Sequence, residues 1–230
     1  MSESESPYNV DHYIEDRREF FRRAWITLGF NGIDGDYAEF GCHSGRTFGL
    51  AYQEFQKAKS HLGFLPYIME RLFWALDSFK GLPSATGPED SHPFWVEGTL
   101  ATTRAEFEQI CHNNGIAPSA YHIVEGFYAD SLTESSAQLP DNICLAYIDC
   151  DMYSSIMTVL EFLLPRIKHG MILAFDDYFV YSRDQVSGAR RACVRMLGDH
   201  PNWRILPYYQ FAWGGLSFIV ESKSVMPDSL

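Results

Sequence analysis

The chain has 230 residues, 46% hydrophobic and 21% charged, the make-up of an ordinary globular protein with enough apolar material for one full core. Thirty acidic against 18 basic residues give a formal net charge of -12, which argues against a phosphate-backbone partner, so no nucleic acid is expected. The opening MSESESPYN lacks the basic and apolar segments of a secretory signal, and nowhere do about 18 apolar residues run together, so the expectation is a cytoplasmic protein with no membrane span.

Residues 11–28, DHYIEDRREFFRRAWITL, mix charge and aromatics at helical spacing. They predict a helix with Tyr13, Phe20, Phe21 and Trp25 on its buried side, so residues 1–30 read as a tail and helix before a single domain over 31–230. An alternating run over 36–40 leads through a loop with glycines at 41 and 45 into an amphipathic helix over 46–59, a strand, loop, helix unit. A second strand ends at Asp77, where the glycine and proline of SFKGLP break any helix. Residues 83–99 hold three prolines and little periodicity; they predict a long surface loop, with His92, Phe94 and Trp95 as a candidate lid over an acceptor. Next come a helix over 103–116 closed by Asn114 and Gly115, then a strand and loop, YHIVEGFYADSL, ending near Asp130. A strand (NICLAYIDCD), a helix (SSIMTVLEFLLPRI), a strand (GMILAFDDY) and a helix (SGARRACVRMLGD) follow, then two strands joined at Gly214 and Gly215. Strands alternating with helices of 10–15 residues predict an α/β fold, a doubly wound, mostly parallel sheet of seven strands with a C-terminal antiparallel hairpin.

In such sheets ligands bind outside the carboxyl ends of the strands. Four of those ends carry acids here: Glu39, Asp77, Asp149 with Asp151, and Asp176 with Asp177. Asp149 and Asp151, two apart at the end of an apolar run, face the same way on a strand and repel each other unless a cation sits between them. The plainer alternative is that one of them caps the helix opening at Ser154 or Ser155. The loop EFGCHSGRT is neither a dinucleotide fingerprint nor a P-loop. Gly41 and Gly45 still admit close approach of a ligand, while Glu39 repels phosphate and suits an ammonium group or ribose hydroxyls. A cationic, non-phosphorylated nucleotide fits, with Asp77 placed to accept from both ribose hydroxyls. The cysteines at 42, 111, 144, 150 and 193 form no CxxC pair and the eight histidines no HxxxH pair, so neither a disulfide framework nor a zinc site is suggested.

The segments GDYAEFGCHSGRTF, ALDSFKGLP, VEGFYADSL, AYIDCDMYSSIMTVLEFLLPRIKHGMILAFDDY and FAWGGLSFIV occur in the order seen in the macrocin O-methyltransferase family. From about residue 30 to 220 the chain resembles these Rossmann-like, class I, metal-dependent enzymes, which methylate sugar hydroxyls in antibiotic and polysaccharide pathways. The resemblance implies S-adenosylmethionine over the glycine loop, with Asp77 and Ser78 at its ribose and Glu39 near its amino acid end. Asp130 and Ser131, at the end of the VEGFYADSL strand, are candidates to reach the adenine, though a plain turn explains them equally well. The resemblance also implies Mg²⁺ or another divalent cation held by Asp149, Asp176 and Asp177, with Asp151 as general base. Three hard oxygen donors suit Mg²⁺, and without an ion clustered carboxylates raise one another's pKa.

Two departures from the family pattern stand out. The loop has CHSGRT where the family commonly has an aromatic residue and paired glycines, and the N-terminal region is short. His43 and Arg46, in that loop, receive no role. Tyr153 and Tyr178 flank the acids, in the core or at the acceptor. The expected partner is a small-molecule acceptor, a sugar or glycosylated precursor. The oligomeric state stays open, since aromatic residues of the first helix are able to pack a symmetric interface. The rival readings are a DxD glycosyltransferase, whose diphosphate would want basic residues nearby, a phosphatase with a strand-DxD motif, a non-catalytic binding protein, and a methyltransferase for a non-sugar acceptor.

Overall fold

A computed structural model of the chain describes residues 10–63, 70–133 and 138–225. Helix α1 (Val10–Phe30) leads into strand β1 (Asp36–Phe40), α2 (Arg46–Leu62) and β2 (Phe73–Asp77). After the 83–99 loop come α3 (Arg104–Asn113), β3 (Tyr121–Glu125) and a one-turn helix α4 (Tyr128–Ser131). Strand β4 (Ile143–Ile148), α5 (Tyr153–Leu163), β5 (Ile172–Phe175) and α6 (Gly188–Leu197) follow, and β6 (Trp203–Phe211) with β7 (Gly215–Ser222) closes the chain. The sheet order is β3-β2-β1-β4-β5-β7-β6, with β1 to β5 parallel and β7 antiparallel to both neighbours. This is the expected doubly wound seven-stranded sheet with its terminal hairpin. The hairpin ladder shifts between Pro207 and Tyr209, where proline has no N–H to give. Helix α2 runs three residues past the expected 59, and α3 stops at Asn113, with Asn114 as its C-cap.

Strand parity splits the core into two layers. Tyr37, Phe73, Ala75, Leu145, Tyr147, Ile172 and Ala174 face the layer of α1, α2 and α3. Ala38, Phe40, Trp74, Leu76, Ala146, Ile148, Leu173 and Phe175 face the layer of α5 and α6. The helix expected ahead of the domain is thus built into it. Phe20 and Phe21 are fully buried, Phe20 stacks on Phe211 at 4.6 Å, and the Trp25 indole donates to the Ala51 carbonyl of α2. Tyr13, expected beside them, is only half-buried.

The chain reverses direction across the sheet between β1 and β4, so the strand ends diverge there and leave a crevice. Gly41 closes its floor. Its φ of +90° disfavours any side chain, and a Cβ there would stand 1.9 Å from the Asp149 carbonyl. Among the described residues no helix is long and apolar enough to cross a membrane.

Candidate active site

A cavity of about 440 Å³ fills that crevice, within the range of small-ligand sites. Asp77, Asp149, Asp151, Asp176 and Asp177 all line it, with Gly41, His43 and Ser78, and among the described residues no lysine or arginine does. Leu82, Pro83, Leu100 and Phe127 supply apolar wall.

Each acid is presented differently. Asp77 ties the glycine loop to its own turn, its Oδ2 accepting the N–H groups of Cys42 (2.7 Å) and His43 (3.1 Å) and its Oδ1 that of Phe79 (2.7 Å). Asp149 and Asp176 extend the strand ladder, their N–H groups donating to Phe40 (2.8 Å) and Ile148 (3.0 Å). Asp151 sits at a φ of +56°, a left-handed conformation that costs a non-glycine residue about 1 kcal/mol or more. Asp151 and Asp149 are also free of the capping duty that the sequence left open. Helix α5 opens at Tyr153 with no cap from its own N-cap residue, Met152; the buried Asp90, on the 83–99 loop, accepts the Ser154 N–H at 2.8 Å instead. The other oxygen of Asp90 accepts from the Thr86 N–H and hydroxyl, both at 2.9 Å. The loop is closed at its base by reciprocal Leu82–Thr99 and Gly98–Leu82 backbone bonds.

Burial pushes the carboxyls of Asp149 and Asp177 well above the ordinary range, with the neighbouring aspartates adding to it. Burial likewise raises Asp151, to about 6, against hydrogen bonding from Asp177 and from the Trp95 indole, which pulls it down. Trp95 in turn lies against His92, ring centroids 4.5 Å apart, while Phe94 is 82% exposed.

Four expected cofactor contacts, Glu39, Gly45, Asp130 and Ser131, lie outside the cavity lining. Glu39 is fully buried beneath it, Tyr37 donating to one carboxylate oxygen while Oε1 has no partner among the described residues; burial raises its pKa strongly. Strand parity explains this, since Glu39 shares the face of Tyr37. Asp130 and Ser131 line a separate cavity beside Glu125, because the single turn of α4 rotates them away; Gly126, Phe127, Tyr128 and Ala129 line the main one. Gly45 turns toward α3, where a Cβ would meet Ile110 and Phe107, and its role here is the start of α2. Arg46 lines a small cavity with Tyr13, Arg17 and Trp213. Tyr178 belongs to the core beside Phe175 and Phe218, and Tyr153 accepts from Arg195.

The cavity chemistry suits cations, and the hard oxygens of Asp149 and Asp177 have no basic partner among the described residues. Asp176 does: Arg17 Nε donates to its Oδ1 at 2.9 Å and an Arg17 terminal nitrogen to its Oδ2 at 2.7 Å, and the Tyr147 hydroxyl also donates to it. Among the described residues no group of three or more such side chains stands ready to hold a metal ion.

The family model described as macrocin-O-methyltransferase (TylF) matches residues 13–193. The chain belongs to the macrocin O-methyltransferase family. It is 30% identical over 132 residues to the 8-demethyl-8-(2,3-dimethoxy-α-L-rhamnosyl)-tetracenomycin-C 4'-O-methyltransferase of Streptomyces olivaceus, an alignment covering 52% of this chain and 47% of that protein. It is 23% identical over 118 residues to the demethyldecarbamoylnovobiocin O-methyltransferase of Streptomyces niveus, covering 49% and 44%. The chain thus spans about half the length of the curated relatives it matches. Among solved structures, the O-methyltransferase NovP superposes with a TM-score of 0.69 at 20% identity, covering 90% of this chain and 80% of that one. The calicheamicin methyltransferase CalS11 gives 0.63 at 21%, covering 88% and 77%. At these identities the likeness is one of fold, and it is the seven-stranded macrocin O-methyltransferase fold that β1 to β7 form.

Proposed function

We propose that the chain is an S-adenosylmethionine-dependent O-methyltransferase acting on a hydroxyl of a sugar borne by a small natural product, with a divalent cation, Mg²⁺ foremost, at Asp149, Asp176 and Asp177. The observation that carries the reading is the cavity at the β1/β4 switch point, lined among the described residues by five aspartates and by no lysine or arginine. Such a site favours a sulfonium and a hard metal ion over phosphate. The same lack of lysine and arginine in the described lining speaks against the glycosyltransferase alternative, whose diphosphate would face five aspartates. Family membership supports the chemistry, and the names of the tetracenomycin and novobiocin relatives point to the acceptor class.

Bound there, S-adenosylmethionine would supply an electrophilic methyl group, and a divalent cation held by Asp149, Asp176 and Asp177 would make the acceptor hydroxyl more acidic. Asp77, immobilised by three backbone N–H groups, offers the remaining acceptor site of its Oδ1 to a ribose hydroxyl, with Ser78 beside it. Asp151 accepts the acceptor's hydroxyl proton at a carboxylate oxygen, and its left-handed backbone aims it into the cavity. Leu82, Pro83, Leu100 and Phe127 exclude water. Alignment of the two reactants supplies up to roughly 7–11 kcal/mol.

The test is calorimetric titration of the protein with S-adenosylmethionine and S-adenosylhomocysteine, with Mg²⁺ and with EDTA, followed by methyl transfer to rhamnosylated aromatic acceptors. Micromolar binding and a methylated sugar are expected. No binding of either form in any metal state refutes the reading.

A further inference from the structure

Arg17 lies on the stripe of α1 that buries Phe20, Phe21, Trp25 and Leu28, an unusual place for a charge. It is there because of what it meets. Ile172 and Ala174 of β5 face α1, so Asp176, two residues on, faces it as well, whereas Asp177 turns the other way. The Arg17 guanidinium engages both Asp176 oxygens in a fork, and its Nε also donates to Tyr147 at 3.3 Å. Both partners are largely buried, with 22% and 10% of their side chains exposed.

We propose that Arg17 is a built-in competitor of the divalent cation for Asp176. The inference rests on the metal part of the function proposed above. Arg17 and Tyr147 take three of the four acceptor sites of the Asp176 carboxylate, so a metal ion that takes all three aspartates must share Asp176 with the guanidinium, whose fixed charge opposes the ion as it arrives. The chain therefore binds its metal more weakly than three unpartnered carboxylates would, and loading loosens the contact of α1 with the end of β5. Arg17 is a positioning residue in this account, acting on the site through Asp176.

The experiment is titration of the full chain with Mn²⁺ in the presence of S-adenosylhomocysteine, read by calorimetry and by the Mn²⁺ paramagnetic resonance signal, for wild type, Arg17→Met, and Arg17→Met combined with Asp176→Asn. Arg17→Met is expected to bind Mn²⁺ about tenfold or more tightly than wild type, because one opposing charge and one competing fork are gone. The double variant is expected to lose that gain. A folded Arg17→Met that binds no more tightly, or a gain that survives Asp176→Asn, overturns the proposal. Arg17→Met leaves a buried carboxylate short of its partner, so a second readout uses wild type alone. The Arg17 side-chain Nε–H resonance is expected to shift or broaden as Mg²⁺ saturates the site, and a resonance unmoved at saturation overturns the competition. If no variant binds Mn²⁺ while S-adenosylhomocysteine still binds, the competition and the metal site both fall and the methyltransferase reading stands. If S-adenosylhomocysteine fails to bind, that reading falls first.

Discussion

Asp90→Ala tests how the loop over the cavity is held. One carboxylate accepts three hydrogen bonds, from the Ser154 N–H at the open end of α5 and from the N–H and hydroxyl of Thr86. Loss of a helix N-cap costs about 0.5–2 kcal/mol, and a hydrogen bond to a charged group is worth about 1.5–3 kcal/mol. The three bonds share one side chain and do not add in full, so about 2–4 kcal/mol is expected. Asp90→Asn keeps an acceptor for Ser154 but turns an NH₂ group toward Thr86 and should lose about half as much. The pH dependence has a definite sign. Burial alone would raise the Asp90 carboxyl, but the hydrogen bonds from Ser154 and Thr86 outweigh it and hold it below its ordinary 3.8. A lowered carboxyl contributes stability above its unfolded value and loses it as pH falls through the folded one. The gap between wild type and Asp90→Ala should therefore be full at pH 7 and narrow below pH 3.8. Urea unfolding across that range measures it, and hydrogen exchange of the Ser154 amide reports the cap directly. A gap under about 0.5 kcal/mol at pH 7, the size of an ordinary surface substitution, or unchanged Ser154 protection would refute the reasoning.

Asp151→Asn should lower turnover by about a hundredfold or more while leaving S-adenosylhomocysteine binding intact by calorimetry. Comparable turnover in the variant would remove Asp151 from the role of base. Gly41→Ala should cost several kcal/mol in thermal or urea unfolding, or prevent folding, since its Cβ would stand 1.9 Å from the Asp149 carbonyl. Gly98→Ala, at a φ of +75° but with open space around it, should cost only about 1 kcal/mol. Equal losses at the two glycines would mean that backbone conformation, not the crossing of two chain segments, sets the requirement.

The strands around the site were legible because each is a short, largely apolar stretch with an acid at or beside its carboxyl end, Glu39 in Asp36–Phe40, Asp77 in Phe73–Asp77 and Asp149 just after Ile143–Ile148. Gathering Asp77, Asp149, Asp151, Asp176 and Asp177 around one cavity then follows from sheet topology alone. Side-chain direction beyond the strand ends was less legible. Glu39 reads as a cavity residue by position, yet its parity with Tyr37 already assigns it to the buried face. Asp130 and Ser131 depend on the rotation of a single helical turn that no periodicity announces. Asp90 meets its partner 64 residues away from inside a proline-bearing loop, so no local spacing reveals it. Arg17 carried a usable signal: it stands three and four residues before Phe20 and Phe21, on the buried stripe, where a basic residue implies a buried acid.

The doublet at the end of β5 shows how one motif serves two ends, and it yields a contrast that the sequence alone does not. Asp176 and Asp177 are adjacent, so the strand sends one toward α1 and the other toward Asp151. Asp176→Asn removes the charge that Arg17 and Tyr147 are built around. Breaking a buried pair costs about 3–5 kcal/mol, and partial exposure of Arg17, with a residual hydrogen bond to the amide, brings the expectation to about 2–4 kcal/mol. Asp177→Asn removes an acid whose ionisation is already opposed by burial and by the charges of Asp151 and Asp176, so in metal-free protein it should be neutral or stabilising. Urea unfolding of both variants in EDTA decides the matter. Equal losses would mean that both carboxylates are structural and that the split by strand parity is not how this site works. A large loss for Asp176→Asn with none for Asp177→Asn would place the fold's anchor and the site's free acid on neighbouring residues of one chain.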